Sequence, residues 1–113
     1  MYLRAAFFEG RIRPGFEEAF ERFVDERLVP LWTRFPGATR VEVLREVEAD
    51  EGAQRYPMVL QISYPDRAAI ERALSSAVRY ESRALTQQLL QLFEGRVFHV
   101  VFRQAGHATA ADA

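Results

Sequence analysis

The side chains of this 113-residue chain whose types suit chemistry are few: His99 and Tyr64 as proton-handling groups, and Trp32, Phe7 and Tyr80 as apolar contacts for a flat molecule. An imidazole near its ordinary pKa of ~6.5 can act as general acid or base, or ligate a metal or haem. His99 has an equally physical alternative, a hydrogen-bonded histidine at a subunit interface. Tyr64 can turn its hydroxyl into a cleft to orient a ligand or polarise a carbonyl. The single tryptophan, Trp32, can stack on a planar substrate, or serve as a core residue whose indole N–H finds a partner. Phe7 and Tyr80 are read as the remaining cleft contacts; for Tyr80, as for Tyr64, the alternative is an amphipathic tyrosine at a core edge. His107 falls in the C-terminal run and is given no role.

Absences narrow the chemistry. The chain has no Cys, which removes thiol nucleophiles, disulfides and Cys-ligated metal centres. All fifteen basic residues are Arg, so a lysine Schiff base is impossible. Asn is also missing. No glycine-rich phosphate loop, metal-ligand spacing, Ser-His-Asp order or nucleotide fingerprint occurs, so neither a metal nor a cofactor is expected. With sixteen acids the net charge is -1, which argues against a broad basic surface for nucleic acid. No apolar run reaches the ~18 residues of a membrane span, and the N-terminus lacks a long apolar leader, so the cytosol is expected.

The elements that must position these residues follow from periodicity. Tyr2–Glu9 reads as a strand closed by Gly10. Phe16, Phe20, Phe23, Val24, Leu28, Leu31 and Phe35 recur at steps of three and four, one stripe of an amphipathic helix with a kink or break at Pro30. Pro36-Gly37 ends it. Residues 40–48 and 57–64 alternate as a hairpin. Asp66 is placed to cap a helix, Ser75-Ser76 to interrupt it, and Gly95 to follow the last helical residue. Residues 96–103 form a fourth strand. The order is β-α-β-β-α-β, a ferredoxin-like α+β fold with a four-stranded antiparallel sheet over residues 1–103, followed by a disordered tail at 104–113.

Two helices can cover only one face of such a sheet. Alternation assigns Leu3, Ala5, Phe7, Val41, Val43, Met58, Leu60, Ile62, Phe98, Val100 and Phe102 to the covered face. Arg4, Ala6, Phe8, Leu44, Val59, Gln61, His99, Val101 and Arg103 then fall on the open face. That mixture of apolar and charged groups suits a self-complementary homodimer, with Arg4, Arg103 and Arg45 pairing Glu42 or Glu46 across strands or subunits.

The order of elements, with Leu28-Val29-Pro30-Leu31, Phe35-Pro36-Gly37-Ala38 and the stretch from Ala73-Leu74-Ser75-Ser76 to Leu92-Phe93-Glu94-Gly95, resembles the dimeric α+β barrel superfamily. The likeness is to its antibiotic-biosynthesis monooxygenase and EthD-like branches. It spans nearly the whole chain and implies two sheets packed face to face, helices outside, and an apolar cleft in each subunit. It implies a range of activities rather than one. EthD-like members often carry His where this chain has Leu28. Haem-degrading and some oxygenase members use an Asn with a Trp; here Trp32 has no Asn to join it.

The expected function is that of a small-molecule enzyme or pathway accessory protein acting on a hydrophobic, aromatic or polyketide-like compound. The reaction class is cofactor-free oxygenation, isomerisation or cyclisation. The alternative is a non-catalytic homodimeric binding or stress-response protein whose cleft is filled by its own side chains.

Overall fold

Runs of alternating apolar residues build four antiparallel strands, β1 (Tyr2–Ile12), β2 (Arg40–Arg45), β3 (Met58–Tyr64) and β4 (Phe93–Arg103), in the spatial order β2-β3-β1-β4. The structure, a computed structural model, describes residues 1–111. Between β1 and β2 the chain forms α1 (Glu17–Phe23), a wide π turn (Val24–Leu28) and α2 (Val29–Trp32). Between β3 and β4 it forms α3 (Arg67–Leu74), α4 (Ala77–Leu89) and a 3₁₀ turn (Leu90–Leu92). The ferredoxin-like order is the one read from the sequence. Residues 104–111 form no helix or strand, and the last two residues of the expected tail lie outside the described residues.

The π turn is the form taken by the expected kink. Phe20, Val24, Leu28 and Trp32 are all buried and lie four residues apart. At 3.6 residues per turn such positions drift by about 40° each step, so a regular helix would carry Trp32 off the buried face. The wider turn, in which Val29 N–H donates to the Val24 carbonyl, takes up that drift. It also opens the backbone ahead of Pro30, whose ring would strike a carbonyl four residues back in a straight helix. Phe16 was expected on the buried stripe, but it precedes the helix and is 46% exposed.

The second helical region breaks where two caps meet. Asp66 accepts from Ala69 N–H at 2.8 Å to start α3. The Ser76 hydroxyl donates to the Ala73 carbonyl at 2.6 Å and accepts from Arg79 N–H at 3.3 Å, ending one helix and opening the next.

Register corrects the expected faces. Arg4 lies opposite Ile62 and Val101, Ala6 opposite Leu60 and His99, and Phe8 opposite Met58 and Val97. The helix-covered face of β1 and β4 is therefore the Arg4, Ala6, Phe8, Val97 and His99 set, and Phe8, Met58 and Tyr64 sit in the core. Leu3, Phe7, Phe98 and Phe102 turn to the open face. The inner faces of β2 and β3 are as expected. The inversion arises because both alternating sets of β1 and β4 are largely apolar, and a shift of one residue exchanges the two faces. Arg4 is accommodated on the inner face because it borders a cleft left open between the sheet and the second helical region.

Three smaller expectations also fall. β2 ends at Arg45, and Val47 beyond it is 94% exposed. Arg45 pairs with Asp25 and Glu21 of the first helical region, not with Glu42 or Glu46, because its face is the helix-covered one. Gly95 is not a helix terminus. It lies within β4 directly opposite Gly10, where the two strands approach too closely for any side chain.

Candidate functional site

A cleft of about 390 Å³ opens between the sheet and α4, within the range of small-molecule sites, about 300–1,000 Å³. Its floor is built by alternation: Arg4, Ala6 and Phe8 from β1, Leu60 and Ile62 from β3, Val97 and His99 from β4. Trp32 and Phe35 close it from the first helical region. The other wall is a stripe of α4, Arg79, Ser82, Arg83, Thr86 and Gln87, at helical steps of three and one. A polar stripe cannot interdigitate with an apolar floor, and Ala6 adds no bulk there, so this helix stands off the sheet.

Trp32 is fixed by its indole N–H, which donates to Ser82 Oγ at 3.0 Å in a buried position. The hydroxyl, as acceptor there, keeps its own proton for a second partner. Ser82→Ala would leave that indole donor unpaired, and a loss of about 1–3 kcal/mol is expected in urea denaturation. Combining it with Trp32→Phe should cost much less than the sum of the two changes. A fully additive pair would show that the bond contributes nothing.

His99 pairs with Ala6 and faces a cationic wall. Burial in the cleft, with the charges of Arg4 and Arg79, pushes its imidazole down from 6.5 to about 4. His99 is nevertheless an exposed residue, so water screens much of that effect and leaves its downward direction. At neutral pH the side chain is an uncharged acceptor and donor. Burial and the neighbouring Arg79 also draw Arg4 below the ordinary guanidinium value.

Of the residues singled out from the sequence, His99 and Trp32 meet in this cleft. Tyr64 does not line it: it is 1% exposed in the core, its phenol raised by burial and opposed by the charge of Arg4. Phe7 lies on the opposite face, stacked on Phe98 with centroids 5.2 Å apart and edge-on to Tyr56. Tyr80 points away from the cleft and is 58% exposed. The residues that sequence reasoning missed are Arg79, Ser82, Arg83 and the inward placement of Arg4. The signal was present as a polar stripe with the same period as a buried face.

Neither a protein-family model nor a curated protein matches the chain. Solved structures do. An EthD-family protein from Bacillus halodurans is similar at 17% identity and a TM-score of 0.71, over 92% of this chain and 98% of that one. HapK from Hahella chejuensis is similar at 21% identity and a TM-score of 0.65, over 97% and 99% of the two chains. SnoaB from Streptomyces nogalater, a cofactor-independent oxygenase, is similar at 22% identity and a TM-score of 0.57, over 94% and 93%. The chain shares the ferredoxin-like α+β fold of these proteins. At these identities the likeness extends to the fold, and the chemistry must be argued from the cleft. Among the described residues no helix is long and apolar enough to cross a membrane.

Proposed function

We propose that this protein is a small-molecule enzyme, or a pathway accessory protein of that kind, which handles a hydrophobic aromatic or polyketide-like compound in the helix–sheet cleft. The observation that supports this reading is the placement of His99 in one cleft with Arg4 and Arg79, over an apolar floor. The flat body of the substrate rests on the partly exposed Leu90 and Val97, with the buried Trp32 and Phe8 backing that wall. His99 accepts a proton from a phenol, or from carbon next to a carbonyl. As the new N–H bond forms, the released electron pair moves to oxygen as a phenolate or enolate facing the arginines.

An imidazole held near 4 is a weak base until that anion offsets the positive wall. The site therefore suits acidic protons, phenolic or flanked by two activating groups. Returning the proton to a different carbon completes an isomerisation. The same anion closes a ring on an internal carbonyl, and it is the species with which dioxygen reacts in cofactor-free oxygenation.

A second copy of the chain is the partner assigned to the open sheet face. There Leu44 and Phe102 are 45% and 47% exposed, on an apolar face that the chain's own helices leave uncovered. A cytosolic setting, and residues 104–113 as a tail outside the functional domain, belong to the same proposal.

The test is hydrogen exchange at the activated carbon of 2-tetralone in D₂O at neutral pH, followed by NMR. The protein should accelerate exchange over buffer, and His99→Gln should remove about 100-fold or more of that acceleration. Binding seen as a change in Trp32 fluorescence, with exchange no faster than in buffer, would leave the non-catalytic binding protein.

A further inference from the structure

We infer that the ligand of this cleft carries a carboxylate, held between Arg4 and Arg79, on a hydrophobic body lying over Ala6 toward Phe8. This deepens the reading above and rests on it for taking the cleft to be a ligand site.

Three cations enter the cavity, Arg4 from β1 and Arg79 and Arg83 from α4, and no aspartate or glutamate lines it. Among the described residues none of the three joins an ion pair, whereas Arg11, Arg45, Arg55 and Arg96 elsewhere each meet a carboxylate. Arg79 spends one N–H on the Leu74 carbonyl at 3.4 Å, and the Arg4 guanidinium has no acceptor among the described residues. Gathering like charges in a partly dry cavity is unfavourable unless an anion joins them. The remaining titratable lining group, His99, is uncharged and adds a donor.

The shape of the binding wall selects among anions. Guanidinium forks match the planar, bidentate geometry of a carboxylate. Along β1 the floor passes from Arg4 through Ala6 to Phe8, so a charged end and an apolar end are set along one axis. Arg83, exposed at the mouth, meets an arriving anion and draws it in.

The experiment is calorimetric titration of the full chain with 2-naphthoate and with 2-naphthamide, which differ in charge and little in shape. The acid should bind at least about tenfold more tightly at low salt, an advantage that shrinks near about 0.5 M salt. Arg4→Met and Arg79→Met should each weaken the acid about tenfold and leave the amide unchanged. Both variants relieve like-charge repulsion and should melt no lower than the parent; if methionine disturbs folding, glutamine at the same positions carries the comparison. Equal binding of acid and amide would overturn the carboxylate while leaving the cleft as a ligand site. So would an acid preference that survives the double substitution. Failure of both probes to bind would overturn the carboxylate and the ligand site together.

Discussion

Gly10→Val is expected to leave no stably folded protein. Gly10 and Gly95 face each other across β1 and β4 with φ of +138° and +146°, a backbone region that side-chain-bearing residues avoid. A Cβ on Gly10 would stand 2.1 Å from the Glu94 carbonyl oxygen, and one on Gly95 2.0 Å from that of Glu9. The obstacle is backbone on both sides, and no rotamer relieves it. The β1–β4 pairing spans the whole of both strands, so yielding here loosens the central ladder and carries the Phe8, Phe20 and Phe93 cluster with it. A cost above about 4 kcal/mol is expected, comparable with the whole stability of many domains. Gly15→Ala is the control. Its φ is +90° but nothing lies within 4 Å of an added Cβ, so only about 1–2 kcal/mol of backbone strain applies. Circular dichroism and soluble yield separate the two, and a Gly10→Val protein melting within a few degrees of the parent would contradict this register.

The second large effect concerns the open sheet face. Its correct membership is more apolar than alternation suggested, because inverting β1 and β4 removes Arg4, His99 and Arg103 and brings in Leu3, Phe98 and Phe102. Phe7 stacks on Phe98, Arg96 lies over the same ring at 4.9 Å, and Glu9 binds Arg96 at 2.9 Å, a greasy centre with paired charges at its edge. In a two-fold dimer each substitution enters twice. Phe102→Asp should therefore weaken self-association by about 4 kcal/mol, roughly a thousandfold in Kd. Light scattering should find twice the 13.0 kDa chain mass for the parent and the chain mass for the variant at micromolar concentration. A monomeric parent would remove the second copy from the proposal.

Much of the fold was legible because its signals are local. Two-residue alternation marked the strands, three-and-four spacing marked the helices, and Asp66, Ser76 and Pro36-Gly37 punctuated them. The inner face of β1 was not legible, since Leu3, Ala5 and Phe7 alternate with Ala6 and Phe8 and either set can face a core. Only the pairing partner decides between them. The π turn was hidden because a four-residue repeat through Phe20, Val24, Leu28 and Trp32 resembles ordinary helical spacing. The cleft itself was hidden for a related reason. Arg79, Ser82, Arg83, Thr86 and Gln87 have the composition of a solvated helix face, and only the tertiary arrangement turns that face toward the sheet. His99 and Trp32 were found by residue type alone, while Tyr64, equally suitable in type, went to the core.

The titration of His99 tests most directly whether a neutral imidazole sits against a cationic wall. Its ring protons can be followed by NMR against pH and assigned by their loss in His99→Gln. A midpoint well below 6.5, toward about 4, is expected, rising when Arg4 is replaced by Met. Because the folded value is depressed, the unfolded chain binds the proton more readily, so stability should fall as pH drops from about 6.5 toward 4. A midpoint at or above 6.5, indifferent to Arg4, would contradict the charge arrangement on which both the proton transfer and the bound carboxylate depend.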